Sequence, residues 1–300
     1  VKISEEVCFR LSRILIKRRQ AVDKADPGRS WYGASDESYR DNRQLAARSF
    51  LELVLKRQPV TGLRMLDFGC GRGDLAKALL DSGAESVVGV DMNTEWINEA
   101  QKEAPPRAEF IVGSAERIPL DDDSVDAAVC VDVWEHVLSP ERVLRELLRV
   151  VRPGGRVFNH YYPWYAFCSS HMVGWVPIPW CHVLFSDSTL VRVAERIHNS
   201  AFYQPPTWLR DDDGHKKPFP LAGKQTYGAD LNRSSERDYL RLLSALQQEG
   251  ALSVDHHYLV GFAGTKHWIS RLTRPFRGLP VLREIIGPPF FSVVVSQTSG

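Results

Sequence analysis

Leu63-Arg64-Met65-Leu66-Asp67-Phe68 runs directly into Gly69-Cys70-Gly71-Arg72-Gly73, so a short apolar run is joined to three glycines at alternate positions. A run of this length closed by turn residues reads as a strand. A glycine-rich turn between a strand and a helix lets a ligand come close to the backbone and to the free N–H groups of the helix N-terminus. Dinucleotide-binding turns use the spacing G-x-G-x-x-G. Here the spacing is G-x-G-x-G behind Asp67, which favours a ligand without a pyrophosphate.

Downstream, short apolar runs alternate with amphipathic helices, the signature of βαβ units around a parallel sheet. Strands are expected at residues 86–90, 109–112, 125–131 and 156–160. Before the last of these lies the clearest helix: Ser139 is placed to cap it, Pro140 takes the first helical position, and Val143, Leu144, Leu147, Leu148 and Val151 form one apolar stripe. Pro153-Gly154-Gly155 should stop it. A helix near 235–249 ended by Gly250, and late strands at 251–260 and 290–296, complete a Rossmann-like sheet of seven mostly parallel strands with an antiparallel last strand, and helices on both faces. Upstream, residues 1–58 read as a helical segment. Residues 59–160 and 231–300 form the core, and 161–230, rich in Trp, Tyr, Pro and His, read as an inserted lid.

The chain has 300 residues with 38 basic against 37 acidic side chains, so no overall field recruits a polyanion, and nucleic acid is not an expected partner. Five cysteines without a C-x-x-C pair fit a reducing cytoplasm better than a disulfide framework. No apolar stretch suggests membrane insertion. Val7, Leu11, Ile14 and Leu15 recur at helical spacing among Arg10, Arg13, Lys17, Arg18 and Arg19, which reads as a helix packed on the domain with a solvated basic face, or one resting on a membrane surface. Oligomeric state is not legible.

Three further motifs follow the glycine turn: Val87-Val88-Gly89-Val90-Asp91, whose acid lies 22 residues after Gly69; Gly113-Ser114-Ala115-Glu116-Arg117-Ile118-Pro119-Leu120 with Ser124-Val125-Asp126; and Arg152-Pro153-Gly154-Gly155. Four motifs in this order, over roughly residues 60–160, resemble the class I S-adenosylmethionine-dependent methyltransferases. The resemblance implies S-adenosylmethionine as cofactor, with Gly69, Gly71 and Gly73 under its methionine part, Asp67 near its ammonium group and Asp91 on the ribose hydroxyls. Met92, Ala115 and Asp132 complete the expected cofactor positions. Ser114 stands where relatives usually carry an aspartate for the adenine amino group, and Glu116 is a nearby substitute.

The implied reaction is methyl transfer to a small-molecule or glycan acceptor, most readily at oxygen and in a secondary-metabolite setting, with a histidine as base because its ordinary pKa lies near 6.5. His171 in the lid is the first candidate, then His160 and His136. Methylation of a lipid, or at nitrogen or carbon, is the alternative chemistry, and a non-catalytic cofactor-binding or regulatory protein the alternative class. Asp132, Glu135 and His136 resemble an acid-x-x-Glu-His pattern tied to a divalent metal in ubiquinone-biosynthesis O-methyltransferases, with aspartate for glutamate; no metal is expected.

Overall fold

The computed structural model describes residues 3–25, 36–167, 169–206, 209–211, 213–228, 231–259, 284–285 and 289–297. Val260, the last residue of the sixth expected strand, lies outside them. In chain order the elements are α1 (Ile3–Ala25), α2 (Asp36–Leu55), β1 (Arg64–Phe68), α3 (Asp74–Asp81), β2 (Ser86–Asp91), α4 (Thr94–Lys102), β3 (Ala108–Val112), β4 (Val125–Val131), α5 (Pro140–Val150), β5 (Val151–Tyr161), α6 (Cys181–Leu184), α7 (Asp187–His198), α8 (Glu236–Gln248), β6 (Leu252–Leu259) and β7 (Phe290–Ser296). The chain divides into two compact units, Val1–Arg43 with Tyr165–Ala229, and Gln44–Trp164 with Asp230–Gly300. The expected N-terminal segment is therefore split within α2, and its first part joins the lid.

The larger unit is built on a seven-stranded sheet in the order β3-β2-β1-β4-β5-β7-β6. β1 to β5 pair in parallel, and β7 lies antiparallel to both β5 and β6. β1 and β4 are buried almost throughout, as strands covered on both faces must be. One face packs under Val143, Leu144, Leu147 and Leu148 of α5 and Tyr239, Leu243 and Leu246 of α8. The other packs under Phe50, Leu51 and Val54 of α2, Leu75 and Leu79 of α3 and Ile97 of α4.

Two local expectations change. Ser139 occupies the N-cap position of α5, but its side chain makes no capping bond, so Pro140 carries that helix start. Val151 is not the last turn of the helix; it begins β5 and pairs with Val125. The ladder resumes at Ala127 and Arg156, so Arg152 to Gly155 leave the sheet as a bulge after the strand has begun. A Cβ on Gly155 would lie 2.5 Å from the Asp126 carbonyl. Arg152 reaches the Asp126 carboxylate at 2.7 Å, and the Arg64 N–H donates to its other oxygen at 2.7 Å. Burial works against charge on Asp126, but the Arg64 N–H and Arg152 outweigh it and hold the carboxyl below its usual range. The fourth motif and Asp126 thus lock β1, β4 and β5 together.

In the smaller unit, α1 packs on α7. Glu5 pairs with Arg192, Glu6 with Arg196, and the Arg196 guanidinium stacks 3.5 Å from the Phe9 ring centroid. The face buried here is Cys8, Phe9, Ser12 and Ile16. Val7, Leu11 and Ile14, three of the four residues whose spacing suggested a packing face, are exposed instead, and Leu15 is half-buried.

Candidate cofactor and catalytic site

Because β1 to β5 run parallel, their carboxyl ends share one edge of the sheet, where ligands of open α/β sheets bind. The glycine turn, Asp91, Ser114, Asp132 and His160 all lie there, on consecutive strands of the larger unit.

Gly69, Gly71 and Gly73 all have positive φ, at 76°, 53° and 83°. Their surroundings differ. A Cβ on Gly69 would collide with Val133, and one on Gly73 would lie 2.6 Å from the Phe110 ring, so packing alone excludes side chains at both. A Cβ on Gly71 would meet nothing within 4 Å, which leaves this glycine beside open space a ligand can enter. The Asp91 carboxylate braces the same turn, accepting from the Gly71 N–H and the Asn93 N–H, each at 2.9 Å. Asn93, rather than Asp91, caps α4, through the Glu95 and Trp96 N–H groups. Asp67 is buried at the end of β1. Burial first, then the charges of Asp67 and Asp91, push the Cys70 thiol far up, so this cysteine is inert despite its place in the turn.

At the ends of the next two strands, Met92 is 81% exposed after β2, and Ser114 is exposed after β3. Ala115 is half-buried against the core. The Glu116 carboxylate is engaged by Arg142 at 2.8 Å, which weakens it as a substitute for the aspartate missing at Ser114.

At the next strands, Asp132 and His160 are tied twice. The Asp132 N–H donates to the His160 carbonyl at 3.0 Å, and His160 Nδ1 lies 2.9 Å from Asp132 Oδ1. Asp132 has φ 55°, a left-handed turn that follows directly from the β4 pairing Val131 with His160. With an ionised carboxylate as partner, Nδ1 must be the donor, so Nε2 carries the free lone pair. Phe50 and Tyr162 meet the imidazole edge-on at centroid distances of 5.9 and 5.8 Å, and the side chain keeps 14% of its surface exposed.

The following turn, Trp134–His136, separates the Glu-His pair: Glu135 is buried and His136 exposed. Burial, reinforced by the charge of Asp132, pushes the Glu135 carboxyl well above the usual range. Asn232 holds this turn. Its amide donates to the Trp134 and Val137 carbonyls at 2.6 and 2.9 Å, and its N–H donates to the Glu135 carbonyl at 2.9 Å. Neither Asn232 nor Val133 was legible as a site residue, since each acts through contacts that only the fold creates. His171 lies in the smaller unit, exposed and with φ 53°. Asp211 accepts from the Asp213 and His215 N–H groups; Asp212 is outside the described residues.

Comparison with known proteins agrees with this geometry. A family profile described as a methyltransferase domain matches residues 66–159. An uncharacterized methyltransferase of Mycobacterium tuberculosis is 41% identical over 126 residues, covering 42% of this chain and 49% of the relative. A demethylmenaquinone methyltransferase of Clavibacter sepedonicus is 39% identical over 101 residues, 33% of this chain and 41% of the relative. A ubiquinone biosynthesis O-methyltransferase of Aliivibrio fischeri is 36% identical over 101 residues, 32% of this chain and 43% of the relative. The aligned stretch thus spans about half the length of these relatives or less. Among solved structures, a chain of the complex of a methyltransferase and its activator from Haloferax volcanii superposes with TM-score 0.54 at 17% identity, over 90% of this chain and 97% of that one. The [4+2]-cyclase SpnF gives 0.50 at 16%, over 85% and 82%. At these identities the superpositions speak for the fold alone. Glycine turn, strand-end acid and family profile together mark residues 66–159 as a class I S-adenosylmethionine-dependent methyltransferase domain, whose cofactor is S-adenosylmethionine.

Proposed function

We propose that this protein transfers the methyl group of S-adenosylmethionine to a hydroxyl oxygen of a small-molecule or glycan acceptor, with His160 as the base and Asp132 as its orienting partner. The observation that carries the reading is the 2.9 Å contact between His160 Nδ1 and Asp132 Oδ1 on the cofactor-binding edge of the sheet. A small-molecule acceptor is supported by the quinone-pathway names of two relatives, and oxygen by one of them.

The residues at hand fit the cofactor. Gly71 offers an open approach, Asp91 suits the ribose hydroxyls, and Asp67 suits the ammonium group. When bound, the cofactor supplies an electrophilic methyl on a positively charged sulfur. What the protein adds is alignment and proton removal. With the cofactor bound, the lone pair at His160 Nε2 would take the acceptor's hydroxyl proton, and the Asp132 carboxylate would stabilise the resulting imidazolium through Nδ1–H.

A panel of phenolic, sugar and polyketide alcohols, screened with labelled cofactor, identifies the acceptor. His160→Ala should then lower turnover by roughly 10²- to 10⁴-fold with cofactor affinity nearly unchanged. Full turnover in that variant, with loss instead in His171→Ala or His136→Ala, transfers the role to the histidine that fails.

A further inference from the structure

We propose that α1 is a docking helix for an anionic phospholipid surface. The helix has two apolar faces, and only one is used inside the protein. Cys8, Phe9, Ser12 and Ile16 are buried within the smaller unit, while Ile3, Val7, Leu11 and Ile14 are 86%, 45%, 45% and 51% exposed. Helical geometry puts these four in one stripe, about 150° around the axis from the buried face. Single exposed apolar residues are ordinary, but an aligned row of four along three turns is a surface that water does not explain.

The charge around the stripe selects the partner. Arg10, Arg13 and Lys17 line one side of it and Arg18 continues its end, all exposed, in a chain whose formal net charge is only +1. Glu5 is paired with Arg192 of α7, and Glu6 is shared between Arg196 of α7 and Arg10, so Arg10 is partly offset and the field rests on Arg13, Lys17 and Arg18. An apolar stripe bordered by cations suits a helix lying at a bilayer interface, with its side chains among acyl chains and its cations on anionic headgroups. A second copy of this chain would oppose two basic borders across the same seam. No described helix is long and apolar enough to cross a membrane, so the contact is one of surface attachment.

The test is co-sedimentation of the full chain with vesicles of phosphatidylcholine alone and of phosphatidylcholine with one quarter phosphatidylglycerol. Binding to the second, weakened by high salt, is expected. Lys17→Gln with Arg18→Gln should weaken it about 25-fold, at about fivefold per basic residue. Leu11→Ser with Ile14→Ser should weaken it roughly tenfold or more. All four positions are exposed, so thermal melting should stay unchanged and report that both variants fold. Absence of binding to the anionic vesicles by the folded wild type overturns the proposal. So does a dimer, seen by analytical ultracentrifugation, that Leu11→Ser with Ile14→Ser dissolves while vesicle binding is unaffected. The readout is binding without turnover, so it stands or falls independently of the methyl-transfer reading.

Discussion

Asp91 does two jobs whose energies can be separated. Without ligand, its carboxylate accepts the Gly71 and Asn93 N–H groups, each at 2.9 Å. Bonds to a charged acceptor contribute roughly 1.5–3 kcal/mol each. This site is part-buried, and water can replace some of what is lost, so Asp91→Ala should destabilise the fold by about 2–3 kcal/mol, or about 5–10 °C in Tm. Losing the ribose hydroxyls as well should weaken cofactor binding by roughly 2–4 kcal/mol, or about 30- to 1000-fold in Kd. Titration calorimetry with S-adenosylmethionine and its demethylated product measures the second quantity, and melting without ligand the first. Asp91→Asn should recover part of the stability and less of the affinity, because its one remaining carbonyl oxygen can brace the turn while its amide cannot accept from a hydroxyl. A variant that melts earlier yet binds with unchanged Kd would show that Asp91 only braces the turn, and would refute the ribose assignment.

Other outcomes follow from the same network. Asn232→Ala removes two amide bonds that hold the turn after Asp132, so turnover should fall by about tenfold or more while Kd for the cofactor changes less than threefold; equal losses in both refute a positioning role. His257 is buried 3.0 Å from Glu236, and burial lowers its pKa to about 4. The unfolded chain takes up this proton first, so stability should be full above about pH 6.5 and be lost as pH falls towards 4; His257→Gln should flatten that slope in melting curves, and an unchanged slope refutes the assignment. Turnover should survive exhaustive chelation, since Glu135 is buried and Asp132 is engaged by His160; abolition by chelator with rescue by magnesium sinks this.

Most of the sheet was legible because each strand carries its own signal. β4 is apolar except for Asp126, and the helices between strands show their buried faces as stripes in sequence. The acids and glycines at the strand ends were legible for the same reason, since their roles follow from the turn in which they sit. The site beyond them was not. Asp132 and His160 are 28 positions apart, and their contact depends on β5 pairing so that Val131 faces His160, a register set by the bulge at Arg152 to Gly155. Asn232 lies nearly a hundred residues from the turn it clamps, in a polar run whose visible signal is the capping box of Ser235 and Asp238 just after it. Spacing names residues that share an element's face, and it is silent about partners brought in by tertiary pairing.

The first helix shows the converse limit, where a local signal was strong and its meaning was inverted. Val7, Leu11 and Ile14 satisfy helical periodicity, and the ordinary inference is that such a stripe faces the core. In α1 the buried face includes Ser12, Cys8 and a phenylalanine covered by the Arg196 guanidinium, a mixture no hydrophobic pattern singles out. A helix with one apolar stripe has one way to satisfy it, whereas a helix with two must bury one in its own unit and present the other. Beside the buried Phe9 and Ile16, Arg192 and Arg196 of α7 meet Glu5 and Glu6 and so help to fix the rotation of α1 about its axis. Reversing those charges, as Arg192→Glu with Arg196→Glu, should therefore disturb the exposed stripe without touching it: the helix loses its rotational anchor, and vesicle binding should fall together with thermal stability. Retention of full binding by the destabilised variant would mean that packing of Phe9 and Ile16 alone sets the rotation.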